Sequence, residues 1–415
     1  HGDIVKIRLG PEWVYLVQHP ELVHQVLVAS AVFDKGGPFY DKARLVFGNG
    51  LGTCPHADHR GQRRRMQPAF SHDRLPEQAA VMRAAAEATA DAWRPGQVVD
   101  VLEQMSALSL AISVRSMFVL DSVAEPAATV QRSMPRVSQG LYQRVLAPLG
   151  LLERLPLPGN RRFDDALRRM RAAIDRVIAD YRRAGVVHGD VLATLLAVRD
   201  EVTGQGMSDL ELRDQALTLV VGGFETTAAA LTWVFHLLGQ HPEVERRLHA
   251  ELDEVLAGRP AGYDDVPRLA YVQQVVEETL RLYPPAWMLT RRTTAAVELG
   301  GHRLAAGTSI LLCPYALHRD PRRFADPERF DPERWGPGRA QAVPRGAMVP
   351  FGGGPRKCIG MGFAMAEATL VVATLAARFS LRPIPGTRVD AIPRMALVPG
   401  SLPMRVDARR RAGAG

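Results

Sequence analysis

The chain has 415 residues, of which 47% are hydrophobic and 23% are charged, with no low-complexity tract or internal repeat. This composition excludes a disordered protein and allows a large hydrophobic core, so we interpret residues 1–415 as a single domain. The net charge of +8 is almost all arginine, but clusters such as Arg63–Arg65 lack the interleaved aromatic residues of a nucleic-acid-binding surface.

The cysteine pattern indicates the cellular compartment. Cys54, Cys313 and Cys358 are far apart and odd in number. This argues against a disulfide framework and favours a reducing compartment, so we expect a cytoplasmic protein. We find no apolar run of membrane-spanning length and no signal peptide. The chain opens directly on a strand-like segment, so we expect a further N-terminal segment to precede it.

Strand and helix patterns follow one another along the chain. Residues 1–30 alternate as strands and then give a short helix, and helical periodicity dominates residues 76–256. The breaks expected in this helical region are Gly140, Pro148, Pro156-Leu-Pro-Gly159 and Gly185. Turn signals and short apolar runs such as Ser309–Cys313 indicate strands and an irregular meander over residues 296–350. The predicted fold class is mainly α with small peripheral β-sheets.

An arginine-rich helix is predicted around His59-Arg-Gly-Gln-Arg63. His59 and Arg63 are one helical turn apart and would lie on the same face. A second interpretation of this segment is a zinc site built from Cys54, His56 and His59. No fourth ligand with suitable spacing follows, which disfavours zinc.

A long central helix is predicted after the capping box Ser208-Asp-Leu-Glu211. Its apolar run continues to about Gly239, which is about 30 residues or roughly 45 Å. Within it lies Gly222-Gly-Phe-Glu-Thr-Thr227. Two glycines cost a helix interior about 1 kcal/mol each relative to alanine, but they let a planar cofactor approach and put an acid and an alcohol beside it. The alternative is a packing glycine pair followed by a threonine that bonds back to a carbonyl.

Two charged motifs follow the central helix. Glu278-Thr-Leu-Arg281 places opposite charges at i and i+3, close enough to pair. Taken alone, this spacing describes a surface ion pair worth a few tenths of a kcal/mol. Phe330-Asp-Pro-Glu-Arg-Trp335 lies about 50 residues further on.

The most informative segment is Phe351-Gly-Gly-Gly-Pro-Arg-Lys-Cys-Ile-Gly360, with an apolar run from Met361 to Phe379 predicted as a helix. A thiolate at Cys358 would be stabilised by the helix N-terminus. The glycines at 352, 353, 354 and 360 would let a flat cofactor approach, and Arg356 would pair with a carboxylate at its rim. The alternative is a buried structural cysteine.

These motifs, in this order, resemble those of the cytochromes P450 over essentially the whole chain. The matching patterns are F-x-x-G-x-R-x-C-x-G, [A/G]-G-x-[D/E]-T and E-x-x-R. The resemblance implies a cytochrome P450 fold, with haem b between the central helix and the helix that follows Cys358. It implies a monooxygenase that uses O2. A non-catalytic haem-binding protein is the alternative of a different class, although it would need no acid–alcohol pair.

The same resemblance implies a role for each motif residue. Cys358 would bind the iron, Thr226 would hydrogen-bond dioxygen, and Glu225 would carry protons. The cofactor-binding residues would be His59, Arg63, Arg291, Arg356, Gly352 and Gly360. Glu278, Arg281 and Arg334 would form a buried charge network, with Trp335 standing where phenylalanine is usual.

We expect electrons to come from a separate protein, because these 415 residues leave no room for a flavin or nicotinamide domain. The implied partners are a ferredoxin and a ferredoxin reductase. Basic residues on or near the haem-contacting segments would form the docking surface for an acidic ferredoxin. These residues are Arg60, Arg64, Arg65, Arg345 and Lys357.

A narrower resemblance, to bacterial sesquiterpene oxygenases of the pentalenene oxygenase type, bears on the substrate. It is carried by Phe33–Pro38, Leu155–Arg162, Trp287–Arg292 and Val343–Pro350. It implies a cyclic sesquiterpene or similar apolar terpenoid of secondary metabolism, and a polyketide or macrolide is the rival. The candidate pocket residues are Phe39, Leu141, Leu219, Phe224, Ala286, Trp287, Met288 and Leu397.

Overall fold

The computed structural model describes residues 2–9, 12–118, 124–146, 155, 157–185, 190–200 and 204–409. Across these ranges the chain is mainly helical. The helices are α1 Pro20–Val28, α2 Pro38–Phe47, α3 His56–Met66, α4 Leu75–Ala92, α5 Val101–Met117, α6 Ala124–Leu146, α7 Pro158–Ala184, α8 Val191–Ala197, α9 Asp209–Gln240, α10 Pro242–Leu256, α11 Ala270–Leu282, α12 Pro314–Leu317 and α13 Met361–Ala376.

Short strands form small sheets beside the helices, which confirms the predicted fold class. The strands are β1 Ile4–Leu9, β2 Glu12–Val17, β3 Phe33–Asp34, β4 Val98–Asp100, β5 Leu289–Thr293, β6 Val297–Leu299, β7 His302–Leu304, β8 Ser309–Leu312, β9 Phe379–Pro383, β10 Ile392–Pro393, β11 Leu397–Val398 and β12 Pro403–Ala408. The largest sheet has the order β1-β2-β8-β5-β3, and a smaller one has the order β4-β12-β9. β2 and β8 pair in parallel, whereas the other pairs in both sheets are antiparallel.

Helix α9 begins at the predicted capping box. The hydroxyl of Ser208 accepts from the Glu211 N–H at 3.2 Å, and the Glu211 carboxylate accepts from the Ser208 N–H at 2.9 Å. The helix has 32 residues and is therefore about 48 Å long. Among the described helices it alone is long and apolar enough to cross a membrane, so the expectation that no run reaches that length is wrong. Its apolar window is 67% buried inside the protein, as in the core helix of a globular domain.

Two hydrophobic clusters meet along α9. Its first half, up to Phe224, packs with α6, α7 and α8, whereas its second half, from Ala228, packs with α4, α5, α10, α11 and α13. The Gly222–Thr226 segment lies where the clusters meet. An added Cβ at Gly222 would find no atom within 4 Å, so the helix faces open space there.

Two predicted boundaries are wrong. Gly140 does not break a helix, because α6 runs through it. Its missing side chain lets α6 approach α7, since a Cβ at Gly140 would lie 2.3 Å from Cδ2 of Phe163. α13 ends at Ala376, and Phe379 begins β9. The expected break at Gly185 is present, with φ of 61° just after α7, whereas Pro148 lies outside the described residues.

Candidate active site

A cavity of about 340 Å³ lies between α9 and the Cys358 loop, with α13 forming part of its wall. Most of the lining side chains are apolar, several are cationic and a few are hydroxyls. In the part of the chain that the structure describes, no aspartate or glutamate lines the cavity. An apolar space with cations and no anions suits a ligand that is largely hydrocarbon and carries negative groups.

Cys358 presents its thiol to this cavity from a turn that ends at the start of α13. The Cys358 N–H donates to the carbonyl of Phe351 at 3.0 Å, which closes the turn. The surrounding loop raises the pKa of the Cys358 thiol by burial, and the Gly360 N–H and the charges of Arg63 and Lys35 act in the opposite direction. The side chain also has an exposed surface on the cavity side, so its stabilisation as a thiolate by the helix N-terminus stays a prediction. A bound metal ion would deprotonate a coordinating thiol outright.

The loop glycines serve two different purposes. Gly352 and Gly360 line the cavity, and Gly352 has φ of 69°, in the left-handed region. Gly353 and Gly354 face α1 instead, where a Cβ on Gly354 would lie 2.2 Å from the carbonyl oxygen of Leu27. The prediction that all four glycines open the approach to a cofactor is therefore wrong for Gly353 and Gly354, which allow the loop to pack on α1.

One face of α9 forms the opposite wall. Leu219, Gly222 and Thr226 line the cavity and recur at helical spacing. The Thr226 hydroxyl donates to the Gly222 carbonyl at 2.7 Å, so the back-bonded threonine considered as the alternative is present in this structure. A hydroxyl that donates in this way still has lone pairs with which to accept a hydrogen bond from the cavity.

Glu225 contacts α6 and is not among the residues that line the cavity. The hydroxyl of Ser138 donates to its carboxylate at 3.2 Å. Burial raises the pKa of Glu225 to about 7, while Ser138 and the charge of Arg394 act in the opposite direction. The side chain therefore exchanges a proton near neutral pH, which is the property expected of a general acid.

Five cationic side chains lie on the cavity wall, namely Lys35, Arg63, Arg291, Arg356 and Lys357. Burial together with the charges of Arg291 and Arg356 lowers the pKa of Lys35 to about 7. Lys35, which sequence reasoning missed, donates to the carbonyl of Gly52 at 2.7 Å. Lys35 could have been found from its position in the Phe33–Pro38 segment. Its spacing from the other cations in the sequence does not point to it.

The predicted cation positions differ in how they are held. Arg356 donates to Asp34 at 2.7 Å and to the Cys54 carbonyl at 2.9 Å. Arg291 is buried, whereas neighbouring Arg292 lies near Glu12 at 3.5 Å, outside the cavity wall. His59 also lines the wall, but burial and nearby cations lower its pKa to about 3, so at neutral pH it offers a neutral ring.

The arginines and the Cys358 thiol on the cavity wall fit a haem. Nε of Arg291 and Nε of Arg356 are buried without hydrogen-bond partners, beside a wall that has no carboxylate. An apolar macrocycle that carries two carboxylates and binds iron through Cys358 would supply partners to both arginines and to the thiol. The zinc interpretation has no such support, since no group of three or more potential metal ligands is found among the described residues.

Glu278 and Arg281 are both fully buried and form a paired unit. Arg281 donates to the two carboxylate oxygens of Glu278 at 2.9 and 2.8 Å, and Arg334 donates to the same carboxylate at 3.4 Å. Trp335 also contributes, because its indole N–H donates to Glu278 at 2.8 Å. Sequence reasoning treated Trp335 as a tolerated volume change and missed this hydrogen bond.

Only two of the eight candidate pocket residues, Leu219 and Ala286, line the cavity. Phe224 is on the face of α9 opposite Thr226 and packs in the core, as Leu141 does on α6. Counting helical turns from Thr226 could have shown from the sequence that Thr218 and Leu219 face the cavity and that Phe224 does not.

The remaining four candidates lie outside the lining, and three of them have contacts elsewhere. Phe39 packs edge-on against Tyr40, which does line the cavity. The Trp287 indole donates to the Arg394 carbonyl at 3.0 Å, and Met288 lies between Trp287 and the lining residue Leu289. Leu397 is buried in β11, where its carbonyl accepts from the Trp233 indole at 2.9 Å.

Comparison with known proteins assigns the family. The family model for cytochrome P450 matches residues 1–406. The chain is 51% identical to cyclooctatin synthase and 49% identical to cyclooctat-9-en-7-ol 5-monooxygenase, both of Streptomyces melanosporofaciens, over 99% of this chain and 89% of each relative. It is 43% identical to pentalenene oxygenase of Streptomyces avermitilis, over 99% of this chain and 91% of that protein.

A solved structure agrees with this family assignment. The haem domain of cytochrome P450DA superposes with a TM-score of 0.89 at 26% identity, covering 98% of this chain and 90% of that one. The chain belongs to the cytochrome P450 family. It is a cytochrome P450 monooxygenase, and its cofactor is a haem held by a cysteine thiolate.

Proposed function

We propose that this monooxygenase hydroxylates an apolar cyclic terpenoid of secondary metabolism. The observation that carries the proposal is the cavity wall, which is apolar apart from its cations and a few hydroxyls and lacks a carboxylate among the described residues. An amine substrate would find no counter-ion there. The names of three relatives support the class, because they describe enzymes that make cyclooctatin, oxidise an alkenol and oxidise pentalenene.

The substrate is proposed to be a hydrocarbon or a mono-alcohol. Pentalenene oxygenase supports the sesquiterpene predicted from the sequence, whereas the relative with 49% identity is named for an alkenol. A polyketide or macrolide would need polar anchors for its many oxygens. The neutral polar side chains on this wall are six hydroxyls and the ring of His59. The Thr218 and Thr226 hydroxyls already donate to backbone carbonyls, so few donors remain for a substrate with many oxygens.

We assign the site residues as follows. Cys358 holds the haem iron, and Lys35, Arg63, Arg291 and Arg356 hold the haem carboxylates. When bound, the haem activates dioxygen so that one oxygen atom is inserted into a substrate C–H bond.

The acid–alcohol pair supplies protons. Thr226 presents a hydroxyl that is oriented by its bond to Gly222 and can still accept from the cavity. Glu225, hydrogen-bonded to Ser138 on α6, takes protons from solvent near neutral pH and passes them towards Thr226. Leu219 and Ala286 exclude water and orient the substrate by shape.

Electrons are proposed to come from a ferredoxin that docks on exposed basic residues near the Cys358 loop. Arg63 donates to the Lys357 carbonyl at 2.5 Å, which puts α3 against this loop. Arg60, Arg345 and Lys357 are exposed. Arg64 and Arg65 are less available than predicted, because they pair with Asp200 and Glu211 at 3.3 and 3.0 Å.

A cytoplasmic location accords with the cysteines. Cys54, Cys313 and Cys358 are all unpaired in the structure. Free thiols persist in a reducing compartment.

The substrate proposal is tested by optical titration of the haem-loaded protein with pentalenene, a cyclic terpene alcohol and a macrolide lactone. We expect a low-to-high-spin shift with the first two. Leu219→Ala should weaken binding by about tenfold, because it removes buried hydrocarbon from the wall. Met288→Ala, whose side chain does not line the cavity, serves as the control and should bind as the parent does. A spin shift with the macrolide alone would overturn the terpenoid assignment and leave the monooxygenase unaffected.

A further inference from the structure

A second cavity, of about 310 Å³, shares no lining residue with the active-site cavity and lies where three helices end. α4 contributes Glu87 and Asp91 from its last two turns. Asp253 is in the last turn of α10, and Thr374 is in the last turn of α13. The last carbonyl groups of a helix carry negative partial charge, equivalent to about half an elementary charge per helix. Three such ends around one cavity favour a cation.

The charged side chains on the wall of this second cavity do not balance. Every arginine that lines it is paired with an acid, and the pairs are Arg259 with Asp265, Arg378 with Asp91 and Arg409 with Asp253. Glu87 is the acid left over, because this half-buried side chain has no hydrogen-bond or ion-pair partner among the described residues. Its carboxylate and the three helix ends together leave the cavity with an excess of negative charge.

Thr374 supplies an independent sign that the second cavity takes a ligand. The side chain is 7% exposed, and its Oγ1 has no hydrogen-bond partner in the part of the chain that the structure describes. In contrast, the hydroxyl of Thr369 on the same helix donates to the Met365 carbonyl at 2.7 Å. A buried hydroxyl without a partner destabilises a protein, so Thr374 requires one from the cavity that it lines. Its lone pairs can accept from an N–H group.

The remaining wall and the size of the cavity indicate what kind of cation fits. Leu252, Leu256 and Ala373 line it and offer apolar surface to an alkyl chain. A volume of about 310 Å³ lies within the range of small-molecule pockets. A bare metal ion fits less well, since the described ranges contain no group of three or more potential metal ligands. An ammonium group has three N–H donors, enough for both Glu87 and Thr374.

We propose that this second cavity binds a small alkylammonium ion. The ammonium group pairs with the Glu87 carboxylate and donates to the Thr374 hydroxyl, and the alkyl chain packs against the leucines of α10. The bound ion holds together the ends of three helices, one of which, α13, begins at the Cys358 loop. The active-site cavity does not compete for it, because that wall carries five cations and no carboxylate among the described residues. The proposal is therefore independent of the proposed substrate.

Isothermal titration calorimetry of the haem-loaded protein with hexylammonium chloride tests the proposal. The titration is made at about pH 8, where an alkyl amine with a lysine-like pKa near 10 keeps its proton. Excess imidazole occupies the haem iron, so the amine cannot bind there. We expect one hexylammonium ion to bind per chain. Hexan-1-ol has the same chain without the charge and should bind at least tenfold more weakly, and hexanoate, with the opposite charge, should not bind.

Two variants locate the bound ion. Glu87→Gln should weaken hexylammonium binding at least tenfold and Thr374→Val several-fold, because each removes one partner of the ammonium group. Glu254→Gln is the matched control, since Glu254 is exposed on the last turn of α10 but does not line the cavity, and it should bind as the parent does. If Glu87→Gln does not fold, Thr374→Val gives the answer. Binding that is unchanged in both cavity variants, or equal binding of hexan-1-ol and hexylammonium, would overturn the proposal.

Discussion

Glu278 shows how a charge can be accommodated in the protein core when every lone pair is occupied. Its carboxylate accepts from Arg281, Arg334, the Trp335 indole and the Asp331 N–H. The other guanidinium N–H groups of Arg281 donate to carbonyls at 2.6 to 3.0 Å. Such a pair stabilises the fold only while it is complete, because removing one member leaves an unpaired buried charge.

Trp335→Phe tests the indole contribution. It removes one donor from a buried carboxylate that keeps its other partners, so we expect a loss of about 1.5–3 kcal/mol in the free energy of unfolding. Glu278→Ala should cost more, about 3–5 kcal/mol, and reduce haem incorporation. Denaturant unfolding of the haem-loaded protein measures both. Trp287→Phe, which removes the hydrogen bond to the Arg394 carbonyl at an exposed position, is the control and should change stability little. Equal effects of the two tryptophan variants would contradict the assignment.

The raised pKa of Glu225 predicts a pH dependence of coupling between reductant use and product formation. With a pKa of about 7, the proton-bearing form predominates below that pH and is lost above it. If Glu225 donates protons to the cavity, the coupled fraction should fall as the pH rises from about 6 to about 8. Glu225→Gln cannot titrate, so its coupled fraction should be lower and flat over this range. If the coupled fraction of Glu225→Gln depends on pH as that of the parent protein does, a group other than Glu225 is responsible for the titration.

At the level of elements, the packing of α6 on α7 depends on Gly140. A Cβ at this position would lie 2.3 Å from the Phe163 ring, and Arg144, one turn further on, covers the same ring with its guanidinium 3.7 Å from the centroid. The two helices therefore approach closely at a point where the sequence suggests only a helix break.

Gly140→Ala should destabilise the protein by about 1–3 kcal/mol, because the added methyl group overpacks the contact between α6 and α7. Gly61→Ala is the control. Gly61 lies within α3, where a Cβ meets no atom within 4 Å, so alanine should be neutral or stabilising by up to about 1 kcal/mol. Thermal unfolding of both haem-loaded variants separates the outcomes. A Gly140→Ala protein as stable as the parent would show that α7 can move aside at no cost.

The sequence predicts those features whose residues are close together in the chain. The capping box fixes the start of α9, and the loop around Cys358 brings thiol, arginine and glycines together within ten residues. The pocket wall is less predictable, because Trp287 and Leu289 differ by two positions but only Leu289 reaches the cavity. Side-chain direction there depends on partners far along the chain, such as the Arg394 carbonyl. The pairing of Trp335 with Glu278 was missed for the same reason.

Across the whole molecule, the net charge of +8 is relevant to association. An acidic ferredoxin is attracted to a basic surface, and the attraction acts on the rate of encounter and weakens with salt. Arg60 and Arg345 are exposed and belong to segments that flank the Cys358 loop. Arg303 on β7 and Arg388 between β9 and β10 are also exposed and give the same charge change when replaced.

The double variant Arg60→Glu/Arg345→Glu should raise the KM for ferredoxin by about tenfold at low ionic strength, because it turns two attractive charges into repulsive ones on the proposed docking surface. The increase should shrink towards twofold or less near 1 M salt, where the screening length falls to about 3 Å. Steady-state reduction kinetics at several salt concentrations give both values. Arg303→Glu/Arg388→Glu changes the net charge equally and should have a much smaller effect, since its charges lie away from the proposed contact. If the two double variants behave alike, the ferredoxin responds only to net charge, and the proposed docking surface is wrong.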